Sequence, residues 1–197
     1  MKRAFLLRLA AAALAAGAAG LLNPSAAQAT SDGRLAVEKI LPPHPGRNAC
    51  YRRLYDARHL EEHPRQTITE MVFLLRVDGY NAKGDRVFAN PDHVAYQFAL
   101  ALKRRGGERP LRTDGECSGD SVAGCFVDCD GGGVTIEPSS RNGGLTVRLQ
   151  GEGIAFGNDC DTTRGVFVGP GADDKVFELS PQPFASCQSL EKETLGP

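Results

Sequence analysis

The chain lacks a charge excess of either sign: 23 Lys and Arg stand against 24 Asp and Glu, a formal net of -1 over 197 residues. A protein built to hold a nucleic-acid backbone carries a basic face, so that class of partner is excluded. Beyond residue 29 there is no apolar run of the roughly 20 residues that a bilayer-spanning helix needs. Cys-x-x-Cys is missing, and with it the paired spacing of structural zinc sites. No serine stands in the strand-to-helix elbow of a hydrolase, and no nucleophile has an identifiable base. With 41% hydrophobic and 24% charged residues, the composition is neither disordered nor fibrous.

What is present begins with an export signal over residues 1–29. Lys2 and Arg3 open it, an apolar stretch runs from Leu9 to Leu22, and Ala27-Gln28-Ala29 is a small-x-small cleavage site. Cleavage there leaves 168 residues with 20 basic and 24 acidic side chains, a net of -4. That length suits a single domain able to bury its own core. The expected organisation is an extended arm over 30–49, one β-rich domain over 50–190 and a tail over 191–197. Export places the chain in the periplasm or outside the cell, where thiols pair.

Six cysteines, all expected to pair, allow fifteen connectivities that sequence alone does not choose among, and local geometry ranks the three bridges that follow, Cys117–Cys125 first. Cys117 and Cys125 flank Gly119-Asp120-Ser121, so a hairpin turning there sets them opposite each other. Cys129 and Cys160 sit in the like tripeptides Asp128-Cys129-Asp130 and Asp159-Cys160-Asp161, at the ends of strands expected to be neighbours. Cys50 and Cys187 join the two ends of the domain.

Prolines 42, 43 and 45 with Gly46 deny the arm regular hydrogen bonding. Arg52–Glu62 reads as a short helix stopped by Pro64. From Thr67 the period becomes two. Met71, Phe73, Leu75 and Val77 share one face until Asp78-Gly79 breaks the run, and Val94, Tyr96, Phe98, Leu100 and Leu102 share another, a strand by its period although Asn90-Pro91 before it and Lys103-Arg104-Arg105-Gly106 after it leave a helix as the alternative. Short strands follow at 125–129, 134–137, 145–150, 154–156, 166–168 and 176–179, with glycine turns such as Gly131-Gly132-Gly133 between them. The expected fold is all-β: an antiparallel sandwich or barrel, a meander of roughly 8 to 10 strands with a short N-terminal helix.

Charge is unevenly distributed. Residues 30–112 carry 15 basic and 10 acidic groups, and residues 113–197 carry 5 and 14. Complementary packing of the two halves accounts for this, and so does an acidic ion-binding rim. Two motifs bear on metals. His59-Leu60-Glu61-Glu62-His63 matches His-x-x-Glu-His, in which imidazoles at i and i+4 of a helix hold zinc and Glu62 activates a bound water. Asp128, Asp130, Asp159 and Asp161 are a second candidate set, for Ca²⁺, although position twelve counted from Asp128 is Ser139 rather than the bidentate Glu of a helix-flanked loop.

Cys50-Tyr51, Tyr55-Asp56, His59-Leu60, His63-Pro64, Cys129-Asp130-Gly131-Gly132-Gly133-Val134, Asp173-Asp174-Lys175-Val176-Phe177-Glu178-Leu179 and Cys187 together resemble a family of small exported, cysteine-containing proteins of alphaproteobacteria. The resemblance implies export and a shared fold, and brings no catalytic residues with it. The expected function is a non-enzymatic binding or structural module of the cell envelope, taking an envelope protein or a small ligand as partner and needing no cofactor. The alternative is a metal-dependent hydrolase using His59, Glu62 and His63.

Overall fold

A computed structural model describes residues 35–157 and 165–196. The expected signal, the first residues of the arm, and Asp159, Cys160 and Asp161 lie outside the described residues. The strands are β1 (Asn48–Leu54), β2 (Ile68–Tyr80), β3 (His93–Arg104), β4 (Leu111–Ser118), β5 (Ala123–Phe126), β6 (Gly132–Pro138), β7 (Leu145–Phe156), β8 (Val166–Val168) and β9 (Val176–Gln182). Two short helices accompany them, α1 (Ala57–Glu62) and α2 (Gln188–Thr194).

All pairings are antiparallel. From β1 to β7 each strand pairs with its successor, β7 pairs with β9, and β9 returns to β1 through Cys50↔Gln182, Tyr51↔Pro181 and Arg52↔Ser180. Eight strands therefore close a barrel, and β8 is a ninth strand added to the far half of β7. Of the two expected architectures the chain adopts the barrel, in a meander that only β8 interrupts.

Period-two patterning fills the interior. Met71, Phe73, Leu75 and Val77 of β2 and Tyr96, Phe98, Leu100 and Leu102 of β3 point inward and are buried, as do Val134, Ile136, Leu145, Val147, Phe177 and Leu179. The rings of Phe73 and Phe98 stack with centroids 5.7 Å apart. Eight strands leave an interior just wide enough for side chains of this size. One end is plugged by a 3₁₀ turn at Ala36–Lys39, whose Val37 is fully buried, followed by Leu41. There the Tyr96 hydroxyl donates to the Leu41 carbonyl at 2.9 Å, and burial pushes the phenol up to about 12.

Several expectations need correction. The helix begins at Ala57, not Arg52: Asn48–Leu54 pairs residue by residue with β2, and Asp56 then caps α1 by accepting from the His59 amide at 2.8 Å. The run is not broken at Asp78-Gly79. The Asp78 carboxylate meets Arg76 and Arg86, each at 2.9 Å, and Gly79 fits because a Cβ there would lie 2.6 Å from the Val87 carbonyl oxygen and 2.8 Å from the Pro45 ring. The strand expected at 125–129 ends at Phe126, and Cys129 and Asp130 turn the chain with positive φ. The segments 145–150 and 154–156 are one strand that bulges between Leu149 and Ile154. At Gly153 (φ 116°) a Cβ would meet the Val168 carbonyl oxygen at 2.1 Å.

The expected tail is helical instead. α2 lies on the outer wall of β2 and β3, with Leu190 packed among Leu74, Ala99 and Cys187. Arg76, 5% exposed, donates to Glu191 and to the Gly196 carbonyl, both at 3.1 Å. The Cys50–Cys187 disulfide fixes the start of this helix to β1, and Cys117–Cys125 bridges directly paired residues of β4 and β5. Cys129 is disulfide-bonded too, and its expected partner Cys160 lies outside the described residues. Ion pairs join the basic and acidic halves: Arg76–Glu191, Arg112–Glu193 and Arg65–Asp173. Part of the charge asymmetry is thus complementary packing.

Candidate functional site

At the end of the barrel where β1 leads through α1 into β2, two long-range ties hold the connecting segment. The Asp174 carboxylate, 1% exposed, accepts from the Thr67 amide and hydroxyl at 2.6 and 2.7 Å and from the Ile68 amide at 3.2 Å. Arg105 donates to the Gln66 and Leu60 carbonyls. Fixed in this way, the segment forms one wall of a cleft of about 310 Å³, lined by Arg53, Tyr55, His59, His63, Gln66 and, opposite, Arg141, Asp173, Val176 and Glu178.

A column of flat groups runs along the wall. The Arg53 guanidinium lies 4.6 Å from the centre of the Tyr55 ring, Tyr55 stacks on His59 at 4.6 Å, and His59 stacks on His63 at 4.3 Å. Buried Gln66 locks the middle of the column: its Oε1 lies 2.9 Å from His59 Nε2, and its Nε2 donates to the Ile68 carbonyl. Burial pushes the Tyr55 phenol above its ordinary value, and the Arg53 charge pulls against that rise. Arg53 follows Ala49 and Tyr51 in the inward-facing register of β1. Its Nε is shielded from solvent without a hydrogen-bond partner, and it has no ion-pair partner among the described residues.

On the opposite wall, Glu178 accepts from the Ser139 hydroxyl at 2.6 Å and the Thr146 hydroxyl at 2.9 Å. The Ser139 bond, helped by Thr146 and the charges of Arg141 and Arg148, holds this carboxyl below its ordinary 4.5. A depressed folded value means that the stabilisation is complete above that ordinary value and is lost as the pH falls through the folded one. Ser139→Ala is therefore expected to raise the Glu178 midpoint toward its ordinary value in a carbon-detected NMR titration. An unmoved midpoint would show that the hydroxyl does not hold the carboxylate.

The structure brings His59 and His63 together, but ring against ring. Glu62 turns away to Arg58 at 3.0 Å on the exposed side of α1. Asp128 and Asp130 are exposed in the turn between β5 and β6, where the Asp128 carbonyl accepts from Gly131. Asp159 and Asp161 complete the calcium set only outside the described residues. No group of three His, Cys, Asp or Glu side chains placed to hold a metal ion occurs among the described residues. Sequence reasoning missed Arg53, Gln66, Arg141 and Glu178 as site residues. For Arg53 a signal existed in its two-residue spacing from Ala49 and Tyr51.

A second groove of about 430 Å³ lies on the outer wall beside α2, floored by Val72, Ala101 and Leu190. Two of its cations are already paired, Arg52 with Glu70 at 2.7 Å and Arg112 with Glu193 at 3.0 Å. Its third cation, Lys103, has no ion pair among the described residues, and neither have Arg53 and Arg141 in the cleft at the barrel end. Compared with family models, curated proteins and solved structures, the chain matches none.

Proposed function

We propose that the chain is an exported, non-enzymatic binding module of the cell envelope and that the cleft beside α1 is its recognition surface. The observation that carries this reading is the Arg53–Tyr55–His59–His63 column: a row of groups suited to recognition, held in place by Gln66 and facing an open cleft whose lining contains no nucleophile paired with a base. Ser139, beside Glu178 of that lining, bonds Glu178 and the Arg141 amide rather than an imidazole. A barrel whose interior is packed with side chains displays its chemistry at its ends and rims.

Disulfides, one of them running from the first strand to the start of the last helix, suit an oxidising compartment, and none of the described helices is long and apolar enough to cross a membrane. The resemblance to small exported proteins of alphaproteobacteria supports the same location. The hydrolase alternative fits the geometry less well. Zinc held by His59 and His63 would require both rings to leave their stack and Glu62 to leave Arg58. Elemental analysis of protein purified without chelator separates the two readings, and zinc far below one ion per chain is expected. Stoichiometric zinc that disappears in His59→Ala or His63→Ala would overturn the binding-module reading.

A further inference from the structure

We propose that the cleft takes a small organic carboxylate and that the Arg53 guanidinium is its principal anchor; this rests on the binding-module reading and names its ligand class. A guanidinium drawn into a barrel rim loses hydration, and such a cation is normally compensated by a carboxylate in fork geometry. Arg53 has no such partner among the described residues, and its Nε lacks any acceptor. One face of the guanidinium is covered by Tyr55. With Nε shielded from solvent, the end of the guanidinium formed by Nη1 and Nη2 is the part that can meet a coplanar pair of oxygens.

The nearby acids do not supply that pair. Asp174 is taken up by Thr67 and Ile68, Asp173 faces Arg65 at 3.7 Å, and Glu178 is held by Ser139 and Thr146. Their charges instead set an upper limit on the ligand. In the lining Asp173 and Glu178 balance Arg53 and Arg141, so a singly charged carboxylate is tolerated better than a doubly charged phosphate. The stacked rings of Tyr55, His59 and His63 offer a flat surface to the ligand's body, and a volume of about 310 Å³ suits a molecule the size of a benzoate or a single amino acid.

The test is calorimetric titration of the protein at fixed ionic strength with benzoate, its neutral isostere benzamide, and phenyl phosphate. Saturable binding of benzoate is expected, with benzamide silent and phenyl phosphate weaker. Arg53→Gln should weaken benzoate at least tenfold, and Arg53→Lys, which keeps the charge and loses the fork, should recover little of that loss. No saturable benzoate binding, undiminished binding by Arg53→Gln, or tighter binding of phenyl phosphate would each overturn the assignment. Should the Arg53 variants fail to fold, the wild-type Arg53 Nε–H resonance gives the answer: a shift that saturates with benzoate supports the anchor, and a resonance that stays in place refutes it. Zinc-free protein that ignores benzoate sinks the carboxylate assignment alone, whereas stoichiometric zinc sinks the binding-module reading beneath it.

Discussion

Replacing both Cys50 and Cys187 by alanine is expected to cost about 5 kcal/mol of folding stability, the largest loss from removing any one tie described above. The bridge spans a sequence separation of 137 residues, so cutting it returns to the unfolded chain the entropy of a loop covering nearly the whole domain. The same chain-entropy argument gives Cys117–Cys125, with a separation of 8, only about 2.5 kcal/mol. Folded-state packing widens the gap. Cys187 is fully buried and holds Leu190 of α2 against Leu74, so losing the bridge also frees the helix to expose that patch. Urea denaturation of the two double variants would measure both losses. Equal losses would contradict the view that the long bridge staples the C-terminal helix to the barrel.

The second large effect is expected at the barrel axis, where Phe98→Ala should destabilise by about 4 kcal/mol. Phe98 is fully buried and stacks on Phe73, and the interior around them has Leu75, Leu100, Val134 and Phe177 at zero exposure. A closed sheet cannot collapse inward to fill the void, because the strand pairings around the ring fix its circumference. Most of the lost contact area therefore stays lost. Phe98→Leu, which keeps more of the volume, should cost well under half as much. A loss below about 1.5 kcal/mol for Phe98→Ala would mean that the interior is loosely packed or reorganises.

The barrel wall was legible where one face of a strand is apolar and the other is not. β2 and β3 declared themselves through Met71, Phe73, Leu75, Val77 and the five large residues from Val94 to Leu102. β1 did not, because two of its seven residues are Arg52 and Arg53, and its extended form comes from pairing with β2 over Asn48–Leu54, a tertiary cause that overrides local propensity. Closure rests on pairings such as Cys50↔Gln182, between residues more than a hundred positions apart, so no local pattern separates a barrel from a sandwich. α2 was hidden for a similar reason. Its charged residues read as a solvated tail, yet Glu191 serves Arg76 and Leu190 completes an apolar patch.

The site was legible in fragments. His59 and His63 stood out as a metal-spacing pair, and the i, i+4 relation did place them together, but stacked. Arg53, Gln66 and Glu178 carry no motif. They converge because Asp174 and Arg105 pin the connecting segment and because Ser139 and Thr146 orient the opposite wall. Such contacts arise only once the ring of strands has closed.

The most direct test of the cleft as the recognition surface is nitrogen–proton NMR of the isotopically labelled protein during a benzoate titration, with every shifted signal mapped onto the fold. Shifts confined to Arg53, Tyr55, His59, His63, Gln66 and Glu178, saturating together with one affinity, are the expected result. Saturating shifts centred instead on Val72, Ala101 and Leu190 beside α2, or no saturating shift anywhere, would contradict it.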